Sequence, residues 1–347
     1  MFISHSRKNW YSLKGIKEFT KGGYNKSEKS FDLKALDVDL SEKVFMVTGA
    51  NSGIGKSAAE TLAQKGGTVH MVCRNLERGE EAKNNIIQKT GNQDIHLHIL
   101  DMSKPNNVFE FAKSFQENQP LLDVLVNNAG CMINTREKQE DGLEKNFATN
   151  TLGTYILTTE LIPLLSKSSQ GRVITVSSGG MYTTKLNIED FNSDKMSKFD
   201  GTFVYAQNKR QQVVMTSQWA KQHSNVLFSA MHPGWADTPA VRTSMPGFYN
   251  TFKEKLRSPE QGADTIVWLA IADEPTKLDN GQFFLDRKVA RTHLPLAWTK
   301  STPEEDEKLM ARLQELFESI KSQTSEVQAS EVQASEEQAS EVQATGT

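Results

Sequence analysis

Residues 44–55 read Val44-Phe45-Met46-Val47-Thr48-Gly49-Ala50-Asn51-Ser52-Gly53-Ile54-Gly55. Val44–Thr48 is a short apolar run of the kind that fills a strand buried on both faces. The residues from Gly53 to Lys65 read as a helix. A strand that turns through glycines into a helix N-terminus is suited to receive an anion. The glycines let backbone N–H groups approach a pyrophosphate, and the positive end of the helix dipole faces it. The glycines are spaced by three residues and then one, unlike GxGxxG, so the strand–turn–helix context carries the reading. Gly49, Asn51, Ser52, Gly53, Ile54 and Gly55 are the expected dinucleotide-binding residues of this turn.

Outward from this unit the same alternation repeats. Further strands are expected at Thr68–Cys73, Ile95–Leu100, Val124–Val126, Arg172–Val176, Val226–Met231 and Gln282–Leu285. Helices are expected at about 76–89, 143–165, 205–221, 259–272 and 302–322. Repeated strand–helix units require right-handed crossovers. The fold class is therefore α/β, a doubly wound parallel sheet of the Rossmann type in a single domain. That domain is expected over residues 41–322. Residues 1–40 precede it as a basic segment, in which Trp10, Leu13, Ile16 and Phe19 recur at three-residue steps. Two readings stay open for this segment. It contacts an anionic membrane surface peripherally, or it packs on the domain with its lysines in water, and the modest apolar face favours the second. Residues 323–347 carry the repeats SEVQA, SEVQA, SEEQA and SEVQA, acidic and without aromatic residues, and are expected to be disordered.

Composition excludes several classes. Hydrophobic residues make up 37% and charged residues 24% of the 347, with a net charge of −3, so no basic excess points to nucleic acid. The two cysteines, Cys73 and Cys131, exclude a disulfide framework and favour a reducing compartment. No apolar run reaches the roughly 18 residues of a membrane span, and no secretory signal opens the chain. The expected location is intracellular, in the cytoplasm or peripheral at a membrane. His96 and His98 share a strand face but lack a third ligand, so no metal site is expected.

The second strand ends at Cys73-Arg74, where an acidic side chain would hold the adenosine ribose of NAD. Arg74 instead offers a planar fork of donors suited to a 2′-phosphate, which favours NADP(H) over NAD(H). Asp101 ends the third strand near the expected adenine. Asn128 and Ala129, in Asn127-Asn128-Ala129-Gly130, end the fourth beside the cofactor. Cys131 has no base near it in sequence and reads as a packed thiol. Tyr205-Ala206-Gln207-Asn208-Lys209 places a phenol and an ammonium four residues apart, on one face of a helix. A tyrosine, with a pKa of about 10 in water, exchanges protons near neutrality only if a cation favours its phenolate.

In order, Thr48–Gly55, Asn127–Gly130, Asn150, Ser178, Tyr205 with Lys209, and Pro233-Gly234 resemble the motif series of the short-chain dehydrogenase/reductase family. The likeness covers about Lys43 to Leu285. The resemblance implies an NADP(H)-dependent oxidoreductase moving a hydride between the cofactor and a carbonyl or secondary alcohol. Tyr205 would be the general acid or base, and Lys209 would lower its pKa and hold the nicotinamide ribose. Ser178, rather than Ser177, would hydrogen-bond the substrate oxygen, and Asn150 would hold a water in a proton relay with Lys209. Pro233, Gly234 and Thr238 would border the nicotinamide. A homo-oligomer is a further family expectation. Trp235, Phe248, Tyr249 and Phe252, if they form a lid, favour a lipophilic small molecule as partner. Two features depart from the pattern: a long polar insert around Tyr182–Asp200, and the bulky Gln207 and Asn208 between Tyr205 and Lys209. The competing function is a catalytically weak NADP(H)-binding scaffold or sensor, since a fold alone does not dictate an activity.

Overall fold

The computed structural model describes residues 11–295 and 297–345, with side chains described as far as residue 324. The chain begins with a helical segment at 11–19, then α1 (Lys21–Glu28), β1 (Val44–Thr48), α2 (Gly53–Gln64), β2 (Thr68–Cys73) and α3 (Leu76–Thr90). There follow β3 (Ile95–Ile99), α4 (Pro105–Asn118), β4 (Val124–Asn127), α5 (Gly153–Leu165) and β5 (Arg172–Val176). The second half holds α6 (Gly201–Gln222), β6 (Leu227–Met231), α7 (Pro239–Ser244), α8 (Pro246–Phe252) and α9 (Pro259–Ile271). It ends with β7 (Phe283–Leu285), β8 (Lys288–Val289) and α10 (Pro303–Thr345).

The strands lie in the order β3-β2-β1-β4-β5-β6-β7-β8. Neighbours from β3 to β7 run parallel, and β8 returns antiparallel on β7. The order reverses between β1 and β4, which opens a crevice at their carboxyl ends. Helices α2, α3 and α9 cover one face through Ala59, Leu62, Ile86, Ile266 and Trp268. Helices α4, α5, α6 and α10 cover the other through Phe115, Leu157, Met215 and Phe317. A third apolar cluster sits at the carboxyl end of the sheet and contains Phe19, Met181, Tyr182, Trp235 and Leu256.

Several elements differ from the sequence reading. Helix α4 follows Pro105, and Val108, Ala112 and Phe115 form its buried stripe. The polar start Pro105-Asn106-Asn107 hid that signal. Strand β8 was also unexpected. Its hairpin turns through Asp286 and Arg287, both with positive φ (51° and 57°), where a glycine would be the usual cue. Two ion pairs hold that turn instead, Arg257 to Asp286 and Arg287 to Asp264. The expected helix 143–165 is interrupted by a π-turn at Ala148–Leu152, with Asn150 at its centre. Helix α10 starts at Pro303, and its packing on the domain is described up to Thr324.

The N-terminal stripe is split. Gly15–Phe19 is a π-turn, whose wider pitch rotates Phe19 inward while Leu13 and Ile16 stay 66% and 48% exposed. Trp10 lies outside the described residues.

Histidines at the β2–β3 edge stack. His70 and His98 are joined Nδ1 to Nε2 at 2.9 Å, and the His70 and His96 rings lie 4.9 Å apart. Burial pushes His70 down to about 3 and His98 down to about 4. Between pH 6.5 and 4 the unfolded chain therefore takes up protons that the folded chain refuses, and stability falls on acidification by about 1.4 kcal/mol per pH unit for each such proton. In a double variant, His70→Phe with His98→Phe, the melting temperature should fall less between pH 6.5 and 4.5 than in the parent. An equal fall would contradict this account.

Candidate active site

The glycine turn is fixed from β4. The Thr48 hydroxyl accepts from the N–H groups of Asn128 (3.0 Å) and Ala129 (2.9 Å), and the Asn128 amide donates back to the Thr48 carbonyl at 2.8 Å. Gly49 and Gly53 take positive φ, 66° and 54°. A Cβ on Gly55 would stand 2.3 Å from the Asn128 amide nitrogen, so only glycine admits that brace. The Ser52 side chain makes no capping bond at the start of α2, which leaves the first-turn N–H groups to a ligand. Ile54 packs against Gly262 of α9. Thr238 lies against Gly53 across the crevice and caps α7 through Val241 N–H. Pro233 accepts from Arg257, and Gly234, at φ 77°, packs where a Cβ would meet that guanidinium at 2.2 Å. At the far end of the crevice Arg74 is exposed after β2, and Asp101 is half-buried with Oδ1 accepting from Ser103 N–H.

The expected reacting groups meet at the carboxyl end of β5. Helix α6 carries Tyr205 and Lys209, with Lys209 Nζ 5.4 Å from the Tyr205 ring centroid. The Ser178 hydroxyl, which accepts from Gly180 N–H at 3.2 Å, lies near enough to the Tyr205 phenol to favour its ionised form. Its neighbour Ser177 is turned the other way and donates to the Lys209 carbonyl at 2.8 Å. The electrostatics differ from expectation. Burial, with Cys131 and Tyr11 adding to it, raises Tyr205 well above an ordinary phenol, and the Ser178 hydroxyl offsets only part of this. Lys209 is buried beside the phenol. Its own ammonium is desolvated, and burial lowers it to about 7. Nζ donates to the Val176 carbonyl at 2.7 Å and to Gln212 Oε1 at 3.0 Å.

Gln212 is a residue the sequence reading missed. Its amide nitrogen donates to the Asn150 carbonyl at 2.6 Å, so one side chain links Asn150 to Lys209. A water was expected to make that connection. The Asn150 side chain is spent on the Cys131 backbone, accepting from its N–H and donating to its carbonyl, both at 2.8 Å. The i, i+3 spacing of Lys209 and Gln212 on one helix was the available signal. The two bulky departures also find work. Gln207 hydrogen-bonds Thr184 and accepts from Asn187 N–H, which fastens the polar insert, and Asn208 accepts from the Asn150 amide. Cys131 is a protonated thiol, its pKa raised by burial. A groove of about 610 Å³ between Thr184–Glu189 and Glu304–Lys308 lies away from the reacting groups, reached by Gln207 rather than by Tyr205. Two residues apart on α6, these side chains point roughly 200° from each other.

Residues 43–247 match the family model described as short chain dehydrogenase. The chain belongs to the short-chain dehydrogenase/reductase family. It is 56% identical over 312 residues to dehydrogenase/reductase SDR family member 12 of Bos taurus, covering 90% of this chain and 98% of that one. Human retinol dehydrogenase 11 is 34% identical over 257 residues, 73% of this chain and 80% of the relative. A solved putative short chain dehydrogenase from Escherichia coli CFT073, complexed with NADPH, has a TM-score of 0.59 at 25% identity, with coverage of 72% and 98%.

In this family member, Gln212→Leu removes one of the two oxygens that hold the Lys209 proton. The ammonium then titrates lower still. If reduction needs that charge, the basic limb of its kcat/KM profile moves down in pH, and the rate at pH 8 falls by about tenfold or more. A Gln212→Leu profile that overlays the parent, in a variant of unchanged melting temperature, would show that Gln212 does not hold that proton.

Proposed function

We propose that the chain is an NADP(H)-dependent reductase of apolar carbonyl compounds, running in reverse as a dehydrogenase of secondary alcohols. The observation that carries this reading is the Tyr205 phenol, kept protonated by desolvation, near Ser178 and beside a buried lysine at the carboxyl end of the sheet. The reaction is reduced to positions and protons. Ser178 donates to the substrate oxygen and holds it near the phenol. Tyr205, kept protonated at neutral pH, gives its proton to that oxygen as it becomes an alkoxide. Lys209 places positive charge beneath the phenol and supports the phenolate that remains. The nicotinamide, when bound, supplies or accepts the hydride.

The residues present fit such a cofactor. The glycine turn and the open first turn of α2 suit a pyrophosphate. Arg74, exposed at the end of β2, suits a 2′-phosphate, and the relative from E. coli was solved with NADPH. An apolar substrate is supported by Trp235, which has Phe248 and Phe252 each 5.0 Å from it, and by the likeness to retinol dehydrogenase 11.

Purified protein with NADPH and a panel of ketones and aldehydes tests the reading. Tyr205→Phe should lose about 10²–10⁴-fold in kcat while still binding NADPH. Arg74→Ala should weaken NADPH by about 10–100-fold and leave NADH nearly unchanged. Turnover that survives Tyr205→Phe would refute the mechanism, and equal losses for both cofactors would refute the preference.

No described helix is long and apolar enough to cross a membrane. The exposed Leu13 and Ile16, beside Lys17 and Lys21, suit peripheral contact with anionic lipid, where each basic side chain adds about 1 kcal/mol. Flotation with phosphatidylserine vesicles should be lost in Leu13→Ser with Ile16→Ser; undiminished flotation would rule that contact out.

A further inference from the structure

The segment before the first strand enters the site. Phe19 is fully buried, with its ring edge-on to His232 at 4.4 Å and 6.0 Å from Trp235. Its carbonyl accepts from Trp235 N–H at 2.7 Å. A Cβ on Gly179, the residue after Ser178, would lie 2.9 Å from the Phe19 ring. Gly15 packs so closely on the Trp235 indole that a Cβ there would stand 2.2 Å from it. Tyr11 takes the Trp235 indole N–H on its hydroxyl at 3.3 Å, with the rings 6.3 Å apart. Residues 11–19 thus fill the space between Gly179–Tyr182, which follow Ser178, and the aromatic side chains of Trp235, Phe248 and Phe252.

Arg257 fastens this arrangement. Its buried guanidinium pairs with Asp286 and donates to the carbonyls of Glu18 (2.7 Å), Thr20 (3.4 Å) and Pro233 (3.3 Å). One side chain therefore ties the N-terminal segment to the loop that borders the expected nicotinamide. Tyr11 itself is half-buried, its ring 5.9 Å from that of Phe19.

We propose that residues 11–19 are the substrate-side wall of the active site, and that Tyr11 limits the bulk of the carbonyl compound reaching Tyr205. The inference rests on the oxidoreductase reading of the same site. A flat apolar compound larger than a single ring needs the space that the Tyr11 side chain fills, whereas a one-ring ketone does not. Removing that side chain opens the site to the larger compound without touching a reacting group.

The test uses the full chain with NADPH and two probes, acetophenone and 1-acetylpyrene, measured by calorimetry in a Tyr205→Phe background so that binding is read without turnover. Tyr11→Ala should tighten 1-acetylpyrene by about tenfold or more and move acetophenone by less than about twofold. Tyr11→Phe, which keeps the bulk and loses the hydrogen bond to Trp235, should behave like the parent. The wall is overturned if Tyr11→Ala shifts both probes equally, leaves 1-acetylpyrene unchanged, or if neither probe binds any variant. The same Tyr11 variants with Tyr205 intact separate the two readings. Size-dependent binding without turnover would sink the reductase and keep the wall. Turnover whose size preference ignores Tyr11 would do the reverse.

Discussion

A lysine ammonium buried under a tyrosine is the constraint on which this molecule turns. Lys209 has left water and keeps hydrogen bonds to the Val176 carbonyl and the Gln212 amide oxygen. Desolvating a cation is costly, and burial lowers its pKa to about 7. The surrounding structure must therefore hold those oxygens in place. Val176 does so as the last residue of β5, in the middle of the parallel sheet. Gln212 does so by anchoring on the Asn150 carbonyl, which lies in the π-turn. Sheet, interrupted helix and α6 are thus coupled through one charge. The irregular turn at Asn150 is a cost in helix regularity that this coupling explains.

Tyr205 shares the same enclosure and responds in the opposite sense. Burial favours the uncharged form of each, holding the proton on the phenol and lowering the lysine to about 7, so Lys209 still carries part of its charge at neutrality. The enclosure is completed from an unexpected direction. The N-terminal segment reaches the carboxyl end of the sheet, and Arg257 holds it there through carbonyls at 18 and 20.

The sheet and the glycine turn were legible in the sequence because they depend on local patterns. Runs such as Val44–Thr48, Thr68–Cys73 and Arg172–Val176 are strands buried except at Val44 and Thr68, and their ends coincide with the observed ones. Positive φ at Gly49 and Gly53 is likewise a demand made by the local turn. What escaped depends on partners distant in sequence. The β7–β8 hairpin turns through Asp286 and Arg287 because Arg257 and Asp264 hold them, and no glycine announces it. Helix α4 was hidden by its polar first turn. The role of residues 11–19 was invisible because their contacts lie more than 150 residues away, at Gly179, His232 and Trp235. The phenol was expected to be acidified by its lysine. Desolvation instead dominates both groups, raising the half-buried phenol and lowering the buried ammonium.

The most direct measurement is an NMR titration of the free protein carrying isotope-labelled lysine, with Lys209→Arg used to assign the resonance. The account predicts that the Lys209 side chain loses its proton near pH 7 and that Gln212→Leu moves this midpoint lower. A Lys209 midpoint close to the ordinary lysine value of about 10.5 would contradict it.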